Sequence, residues 1–288
     1  MSRHTLPFRT AAVGVALAAL ALTGCAGGAS GTPSGEASEG AVDGSWVTPG
    51  KITIATGEPA YYPWVIDDAP ESGEGFEAAV AFAVAEQLGF AEEDVVWVRT
   101  TFDEAIAPGP KDFDINLQQF SITPEREESV DFSSPYYETT QVVVTTGDSP
   151  AAEATSIADL EDLLIGAQTG TTSFTTIESV IQPTQGAQAF NTNDDAKLAL
   201  ENGQVDAIVV DLPTAFYISG VELSDGVLVG QLPTPEGSTG DQFGFVLAKD
   251  SPLTDEVTAA VDALRQDGTL DELASEWLGG EGQAPLLQ

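Results

Sequence analysis

The sequence DINLQQFSITPEREESVDFSSPYY, residues 114–137, determines the fold that we expect for this chain. An apolar, strand-forming run at residues 115–117 leads to Thr123 and Pro124, a hydroxyl cap before proline at the first helical position. Arg126 therefore falls in the first turn of a helix, close to the loop that follows the strand. Open α/β sheets bind ligands at this edge, and the planar guanidinium group of arginine suits a carboxylate or a phosphate.

Arg126 stands out because basic residues are scarce in this chain. There are nine Lys and Arg residues against 46 Asp and Glu residues, which gives a formal net charge of −37. An ion pair with Glu127 or Glu128 on a solvated helix face is the alternative role for Arg126. The scarcity of basic side chains favours ligand binding over that alternative. The same negative charge argues against binding DNA or RNA, which requires basic patches.

The pattern SITPERE..VDFS.PYY, residues 121–137, resembles the signature of the family 3 extracellular solute-binding proteins, which serve ABC importers of polar amino acids. The resemblance extends over about residues 50–279. It implies an α/β protein with the two-lobed type II periplasmic-binding-protein fold. In that fold each lobe is a mainly parallel sheet flanked by helices, and two crossover strands join the lobes.

The resemblance also implies roles for individual residues of this stretch. Arg126 is expected to bind the α-carboxylate of an amino acid, and Ser121 and the backbone carbonyl at Gln119 to hold its α-ammonium group. Most members of the family have glycine, alanine or serine where this chain has Gln118 and Gln119. The floor of the predicted pocket is therefore unusual here.

The first part of the chain alternates between strand and helix patterns. Residues 51–56 and 95–100 read as strands, and between them apolar residues recur every four positions from residue 76 to residue 88, as on one face of a helix. Gly89 follows as a helix stop. This order predicts right-handed βαβ units and a mainly parallel sheet.

The aromatic-rich loop at residues 57–66 contains further candidates for ligand binding. The resemblance implies that Tyr61 and Phe102 stack on the ligand side chain. Glu58 occupies a position that carries an acid in binders of basic amino acids, and a solvated loop glutamate is the equal alternative. Trp64 could face the ligand or lie in the core.

The second part of the chain contains a strand at residues 164–168 that leads into Gly170, Thr171 and Thr172 at a helix start. Free backbone N–H groups, hydroxyl groups and the positive end of the helix dipole converge there and form an anion site. The resemblance implies that these three residues contact the ligand carboxylate, Thr172 foremost. Helix capping alone is the alternative, and it is compatible with binding because the same amides serve both.

A second strand at residues 205–210 delivers Asp211 at its carboxyl end, just before Pro213. Aspartate at this place often caps the following helix, and that is the alternative role here. The resemblance implies instead that Asp211 receives the α-ammonium group of the ligand.

The N-terminus has the composition of a targeting segment. A positive start with Arg3, His4 and Arg9 precedes an apolar run at residues 11–22 that is too short to span a bilayer as a mature helix. The run ends in LTGC, which resembles a bacterial lipobox and implies cleavage before Cys25 and lipidation of its thiol. An ordinary secretory signal with an incidental cysteine is the alternative.

These patterns predict the domain organisation. We expect a lipoprotein signal peptide at residues 1–24 and a flexible tether at residues 25–48, rich in Gly, Ser, Ala and Glu. Lobe 1 is predicted at residues 49–140 and 242–288, and lobe 2 at residues 141–241. Residues 141–146 and 241–253 resemble the two crossovers.

The resemblance implies a substrate-binding protein of an ABC importer. Such a protein captures a free amino acid, here a polar or cationic one, in the interlobe cleft by hinge closure and delivers it to a membrane permease. We expect a monomer that uses no cofactor and no metal and that contacts the membrane only through its lipid anchor. A sensory ligand-binding protein, or a carboxylate-dependent dehydratase or lyase on the same fold, is the alternative. We expect no enzyme, because the only histidine and the only cysteine are His4 and Cys25.

Overall fold

The structure, a computed structural model, describes residues 46–234, 240–279 and 284–288. Its β-strands are β1 (Ile52–Gly57), β2 (Val95–Thr100), β3 (Ile115–Asn116), β4 (Val130–Phe132), β5 (Tyr137–Thr139), β6 (Gln141–Thr146), β7 (Ile165–Gln168), β8 (Gln188–Phe190), β9 (Ala207–Asp211), β10 (Gly226–Gln231), β11 (Asp241–Phe243) and β12 (Val246–Ala248). Its α-helices are α1 (Phe76–Gln87), α2 (Phe102–Ile106), α3 (Pro124–Glu127), α4 (Thr172–Thr176), α5 (Asn193–Glu201), α6 (Leu212–Tyr217), α7 (Thr254–Asp267) and α8 (Thr269–Trp277).

The strands form two five-stranded sheets, and each sheet is the centre of one lobe. The sheet of lobe 1 has the order β2-β1-β3-β12-β4, and the sheet of lobe 2 has the order β8-β7-β9-β6-β10. In each sheet a single strand runs against the other four: β12 in lobe 1 and β6 in lobe 2. The two lobes therefore repeat one topology, and the prediction of two mainly parallel sheets is confirmed.

Two short antiparallel strands connect the lobes. In this pair β5 lies against β11, with Asp241 opposite Thr139 and Phe243 opposite Tyr137. The prediction that residues 141–146 form the first crossover is wrong, because they are strand β6 within the sheet of lobe 2. Val142, Val143 and Val144 have no exposed surface there, because Val142 and Val144 pack into one core cluster of lobe 2 and Val143 packs into the other. Likewise, only the start of residues 241–253 is a crossover, and β12 belongs to the sheet of lobe 1.

The last described residues, 284–288, pack on lobe 2 and not on lobe 1 as the sequence predicted. The Leu287 N–H donates to the Gln231 carbonyl at 2.9 Å, and the Leu287 side chain is buried in the core of lobe 2. Gly230 makes this possible, because a Cβ atom there would lie 2.7 Å from Leu287 Cγ. A segment distant in sequence thus extends lobe 2.

The helix predicted from the four-residue period is α1, which buries Phe76, Val80 and Val84 against the sheet of lobe 1. Gly89 follows it with φ +87°, as expected of a helix stop. Within the described residues, none of the helices combines the length and the apolar character that a membrane span requires.

The predicted signal peptide, residues 1–24, lies outside the described residues, as do Cys25 and the predicted tether up to residue 45. The last three residues of the predicted tether, 46–48, are part of lobe 1 instead. Trp46 packs in its core against Phe90, and the Val47 N–H donates to Oδ1 of Asp114 at 2.8 Å.

Candidate ligand-binding site

A cavity of about 310 Å³ lies between the lobes. It is lined by Thr56, Gly57, Glu58, Pro59, Ala60, Tyr61, Thr101, Phe102, Asp103, Gln118, Gln119, Arg126, Gln168, Thr171, Thr172, Ser173, Asn191, Thr192, Asn193, Val210 and Asp211. Most of these residues lie at or just after the carboxyl ends of strands of both sheets, where open α/β sheets bind ligands. All of the predicted ligand-binding residues line this cavity except Ser121, Gly170 and Trp64.

Arg126 supplies a buried positive charge to the cavity. Its backbone N–H donates to the Thr123 hydroxyl group at 3.3 Å, which confirms the predicted cap of α3. Nη1 of its guanidinium group donates to the Ser121 carbonyl at 2.6 Å, and the group lies over the Phe102 ring at 5.3 Å. Desolvation lowers the pKa of Arg126 to about 10, although Asp241 and Asp211 oppose this shift, so the group stays protonated at neutral pH.

The predicted alternative for Arg126, an ion pair with Glu127 or Glu128, is absent. Among the described residues no carboxylate forms an ion pair with Arg126. A buried cation that lacks a carboxylate partner is costly, because it has lost water without gaining an opposite charge. The site therefore favours the binding of an anion at Arg126.

Ser121 and Gly170 do not line the cavity, but each makes a contact between the two lobes. The Ser121 hydroxyl group is 3.1 Å from the Thr172 hydroxyl group across the cleft. Nη2 of Arg126 donates to the Gly170 carbonyl at 2.9 Å, which also connects lobe 1 with lobe 2. These two contacts therefore connect the cavity residues Thr172 and Arg126 to the opposite lobe.

The helix start predicted after β7 faces the cavity. Thr171 is the N-cap of α4, and its hydroxyl oxygen accepts from the Phe174 N–H at 3.1 Å. The same hydroxyl group donates to the Gln168 carbonyl at 2.6 Å, which fixes its orientation. Gly170 precedes it with φ +74°, a left-handed conformation that suits glycine. The first turn of α4 thus presents Thr171, Thr172 and Ser173 to the cavity.

Asp211 occupies the N-cap position of α6, but its side chain makes no capping hydrogen bond. Its Oδ1 atom instead accepts from Nε2 of Gln141 at 2.8 Å, and the same Nε2 atom donates to Oδ2 of Asp241 at 2.8 Å. Desolvation, followed by the nearby charge of Asp241, raises the pKa of Asp211 well above its ordinary value. Helix capping, the alternative role, therefore does not explain where this carboxyl group lies.

A buried glutamate, which the sequence analysis missed, supports the floor of the cavity. Gln119 has φ +52°, and its backbone N–H donates to Oε1 of Glu77 at 2.7 Å. Both the Gln119 side-chain amide and the Tyr136 hydroxyl group also donate to Glu77. Glu77 has no exposed surface, and desolvation raises its pKa to about 7 although these hydrogen bonds lower it. Glu77 lies outside the apolar period of α1, which runs through Phe76, Val80 and Val84, so this pattern does not indicate that Glu77 is buried.

Of the predicted aromatic residues, Tyr61 and Phe102 line the cavity and Trp64 does not. Trp64 has no exposed surface and packs in the core of lobe 1, so a core role is the correct one of the two that the sequence left open. Its indole N–H donates to the Thr214 hydroxyl group of lobe 2 at 3.0 Å. The Tyr61 hydroxyl group approaches Thr192 and the Asp194 backbone, and burial raises its pKa to about 12.

The family to which this chain belongs follows from comparison with known proteins. Residues 52–280 match the model of the bacterial extracellular solute-binding proteins, family 3. The chain belongs to this family. The resemblance of residues 121–137 to the family signature, on which the sequence analysis depended, is thereby confirmed.

Three known proteins show how far this similarity to other solute-binding proteins extends. A probable histidine-binding protein of Campylobacter jejuni is 30% identical over 70% of this chain and 76% of its own length. The ABC transporter arginine-binding protein 1 of Escherichia coli is 26% identical over 70% of this chain and 81% of its own length. The crystal structure of an ancestral amino acid-binding protein, described as a precursor of cyclohexadienyl dehydratase, is 30% identical, with a TM-score of 0.65 over 80% of this chain and 95% of that one.

This solute-binding protein has further cavity residues that the sequence analysis did not name. They include Asp103, Gln168, Asn191, Thr192 and Asn193. Thr192 is the N-cap of α5, and its hydroxyl oxygen accepts from the Asp195 N–H at 3.0 Å. Thr192 follows a parallel strand and starts a helix, which is the same local pattern that identified Thr171. A search for hydroxyl residues at every junction between a strand and a following helix would therefore have found Thr192.

Proposed function

We propose that this solute-binding protein captures a free amino acid between its lobes and delivers it to the permease of an ABC importer. One observation carries the proposal: Arg126 of lobe 1 and Asp211 of lobe 2 line the same cavity. An amino acid is a zwitterion and brings one charge of each sign. Its α-carboxylate pairs with Arg126 and its α-ammonium group pairs with Asp211, so each buried charge gains a partner.

Neutral and polar groups complete this clamp. The hydroxyl groups of Thr171 and Thr172 and the first N–H groups of α4 add donors for the α-carboxylate. The backbone carbonyl of Gln119, whose N–H group is held by Glu77, adds an acceptor for the α-ammonium group. Ser121 takes part through its contact with Thr172.

Binding by closure follows from the division of these groups between two lobes. A zwitterion can contact Arg126 and Asp211 together only when the cleft is shut, so its binding energy favours the closed state. Direct contacts across the cleft also favour closure, among them the hydrogen bonds from Arg126 to Gly170 and from Trp64 to Thr214. The closed protein is then the form that the permease recognises.

The cavity favours a polar or cationic side chain on the ligand. The carboxylates of Glu58 and Asp103 line it, together with the rings of Tyr61 and Phe102. Arg126 is the only lysine or arginine among the lining residues, and it is occupied by the α-carboxylate. The names of the two curated relatives described above specify histidine and arginine and agree with a cationic side chain.

We place the protein on the outer face of the cell membrane, as a monomer. Residues 1–24 act as the signal peptide, Cys25 carries the lipid, and the segment up to residue 45 is the tether. Incorporation of labelled palmitate into the wild-type protein but not into the Cys25→Ala variant is the expected result. Equal labelling of both proteins would refute the anchor.

A thermal-shift screen tests the binding function. The chain from residue 26 onwards is heated with each of the twenty amino acids, ornithine and citrulline. Since a ligand that binds only the folded state stabilises it, a specific amino acid must raise the melting temperature. We expect a rise with a polar or cationic amino acid that is lost in Arg126→Ala. If no amino acid raises the melting temperature, the proposed function is refuted.

A further inference from the structure

The side-chain amide of Gln118 is held in one orientation beside the cavity. Its Nε2 atom donates to the Thr100 hydroxyl oxygen at 2.8 Å and to Oδ1 of Asn116 at 3.0 Å. Nδ2 of Asn116 donates to the same hydroxyl oxygen at 3.0 Å, so the three side chains form a closed hydrogen-bonded group. Gln118 and Asn116 are both buried. Both hydrogen atoms of the Gln118 amide are therefore committed within lobe 1.

This arrangement depends on the glycine at position 57. Strand β1 lies between β2, which carries Thr100, and β3, which carries Asn116. Gly57 is opposite Thr100 in the register of β1 and β2, and it has no side chain to separate Thr100 from Gln118. A Cβ atom at Gly57 would lie 3.1 Å from Oε1 of Gln118 and 2.9 Å from the Pro59 carbonyl oxygen.

The carbonyl oxygen of the Gln118 amide is left without a hydrogen-bond donor. Within residues 46–234, 240–279 and 284–288, no group donates to this Oε1 atom. Gln118 and Gly57 both line the cavity, so the oxygen lies beside the space that a ligand would fill. Once closure removes water, an acceptor without a donor costs free energy, whereas a ligand donor would satisfy it.

We propose that Gln118 selects the side chain of the ligand. Its Oε1 atom accepts a hydrogen bond from an N–H group near the end of that side chain, so the site takes amino acids with a guanidinium, ammonium or carboxamide group. It discriminates against side chains that end in a carboxylate. This inference rests on the proposed function, because it assumes an amino acid in the cavity.

The surroundings of Gln118 give the same preference. A carboxylate beside Oε1 would place two acceptors together, and the amide cannot turn its N–H groups towards the ligand without breaking both of its hydrogen bonds. The carboxylates of Glu58 and Asp103 also repel a carboxylate on the ligand side chain. Glu58 and Asp103 can also accept a hydrogen bond from the N–H group of a ligand carboxamide. Substitution of Gln118 alone therefore isolates the contribution of its Oε1 atom.

Calorimetric titration with glutamine and glutamate tests the inference. The two ligands have nearly the same shape and differ in whether the side chain donates or only accepts. We expect the wild-type protein to bind glutamine at least tenfold more tightly than glutamate. Gln118→Met retains length but has no acceptor, and it should lower this ratio at least fivefold. Gln118→Glu keeps an acceptor at the same place, and the ratio should not fall below the wild-type value.

Two further variants make the titration decisive. Gln87→Met, an equivalent substitution on the exposed face of α1, should leave the ratio unchanged. Thr100→Val leaves Gln118 in place but removes a partner of its Nε2 atom, so the amide can rotate and the ratio should fall. This variant decides the question if Gln118→Met does not fold.

Three results would overturn the inference. A wild-type protein that prefers glutamate would overturn it, as would a folded Gln118→Met variant with an unchanged ratio. In both cases the proposed capture of an amino acid would stand. Failure to bind any amino acid would instead overturn the proposed function and this inference together.

Discussion

The two lobes have the same strand order but equip the cavity in different ways. Lobe 1 presents long side chains, Gln118 and Gln119, which are held by other side chains of the same lobe. It also presents Arg126, which donates to the Ser121 carbonyl of lobe 1 and to the Gly170 carbonyl of lobe 2. Lobe 2 presents the first residues of helices. Thr171, Thr192 and Asp211 occupy the N-cap positions of α4, α5 and α6, and all three line the cavity.

This difference indicates that the two lobes contact the ligand at different stages of binding. The groups of lobe 1 are placed before the cleft closes, because the contacts that hold Gln118 and Gln119 lie within that lobe. Lobe 2 adds its hydroxyl groups and Asp211 only when it meets lobe 1. We infer that lobe 1 recognises the ligand first and that lobe 2 completes the clamp. Substitutions in the two lobes should therefore differ in what they change.

The largest effect is expected for Arg126→Ala in lobe 1. It leaves the α-carboxylate of the bound amino acid buried without a partner, which costs about 2–5 kcal/mol of binding free energy. Titration calorimetry measures the loss with the amino acid that the thermal-shift screen identifies. Arg265→Ala is the matched control, since Arg265 lies on α7 and pairs with the exposed Asp262. A loss of less than tenfold in Arg126→Ala would contradict the role assigned to this residue.

The second largest effect is expected on the stability of lobe 1, which should depend on pH because of Glu77. A carboxyl group whose pKa is higher in the folded than in the unfolded state binds more protons when folded. The free energy of unfolding should therefore fall as the pH rises from 4.5 to about 7 and then level off. The difference between the ordinary pKa of 4.5 and the raised pKa of about 7 corresponds to a loss of about 3 kcal/mol in the free energy of unfolding. Urea unfolding at a series of pH values measures it.

Substitution separates this effect from the general repulsion of a highly acidic chain. Glu77→Gln should lose most of the pH dependence that the wild-type protein shows between pH 4.5 and 7. Glu86→Gln, an exposed residue of the same helix, should retain it. Equal pH dependence in wild type and Glu77→Gln would show that the buried carboxyl group does not titrate in this range.

The smallest effect is expected in lobe 2, for Asp211→Asn. The loss of one charged hydrogen bond should cost about 1.5–3 kcal/mol of binding free energy. Because the α-ammonium group needs the ionised carboxylate and the pKa of Asp211 is raised, wild-type affinity should weaken as the pH falls, starting above the ordinary range of aspartate. Asp211→Asn should lack this pH dependence of the affinity. Asp225→Asn, a control on the surface of lobe 2, should keep it. The pH dependence of the dissociation constant measures both, and a profile that Asp211→Asn leaves unaltered would exclude the ion pair.

The two lobes also differ in how well the sequence predicted them. The helix starts of lobe 2 at Thr171 and Asp211 were predicted correctly, because their signals, the cap at Thr171 and the proline after Asp211, lie close in sequence to the strand ends before them. Arg126 was predicted for the same reason, since Thr123 and Pro124 start its helix. Glu77 was missed, because its partners Gln119 and Tyr136 are brought to α1 only by the fold.

The boundaries of the lobes were predicted less accurately than their elements. Residues 141–146 were assigned to lobe 2, but as a crossover strand and not as a strand inside its sheet. Residues 284–288 were assigned to lobe 1, although Leu287 fills the space that Gly230 leaves on lobe 2. Strand pairing and the packing of a distant segment depend on long-range contacts, which leave no pattern within a short stretch of sequence.

The sequence by itself therefore determined the family, the two-sheet fold and the charged pair that we assign to an amino acid, because these follow from local motifs. Only the tertiary structure decided that Trp64 is a core residue, that Glu77 supports Gln119, and that the Gln118 amide keeps its oxygen towards the cavity. Each of these depends on the neighbours that a side chain meets. Those neighbours are set by the order of β2, β1 and β3 in the sheet and by the space beside Gly57.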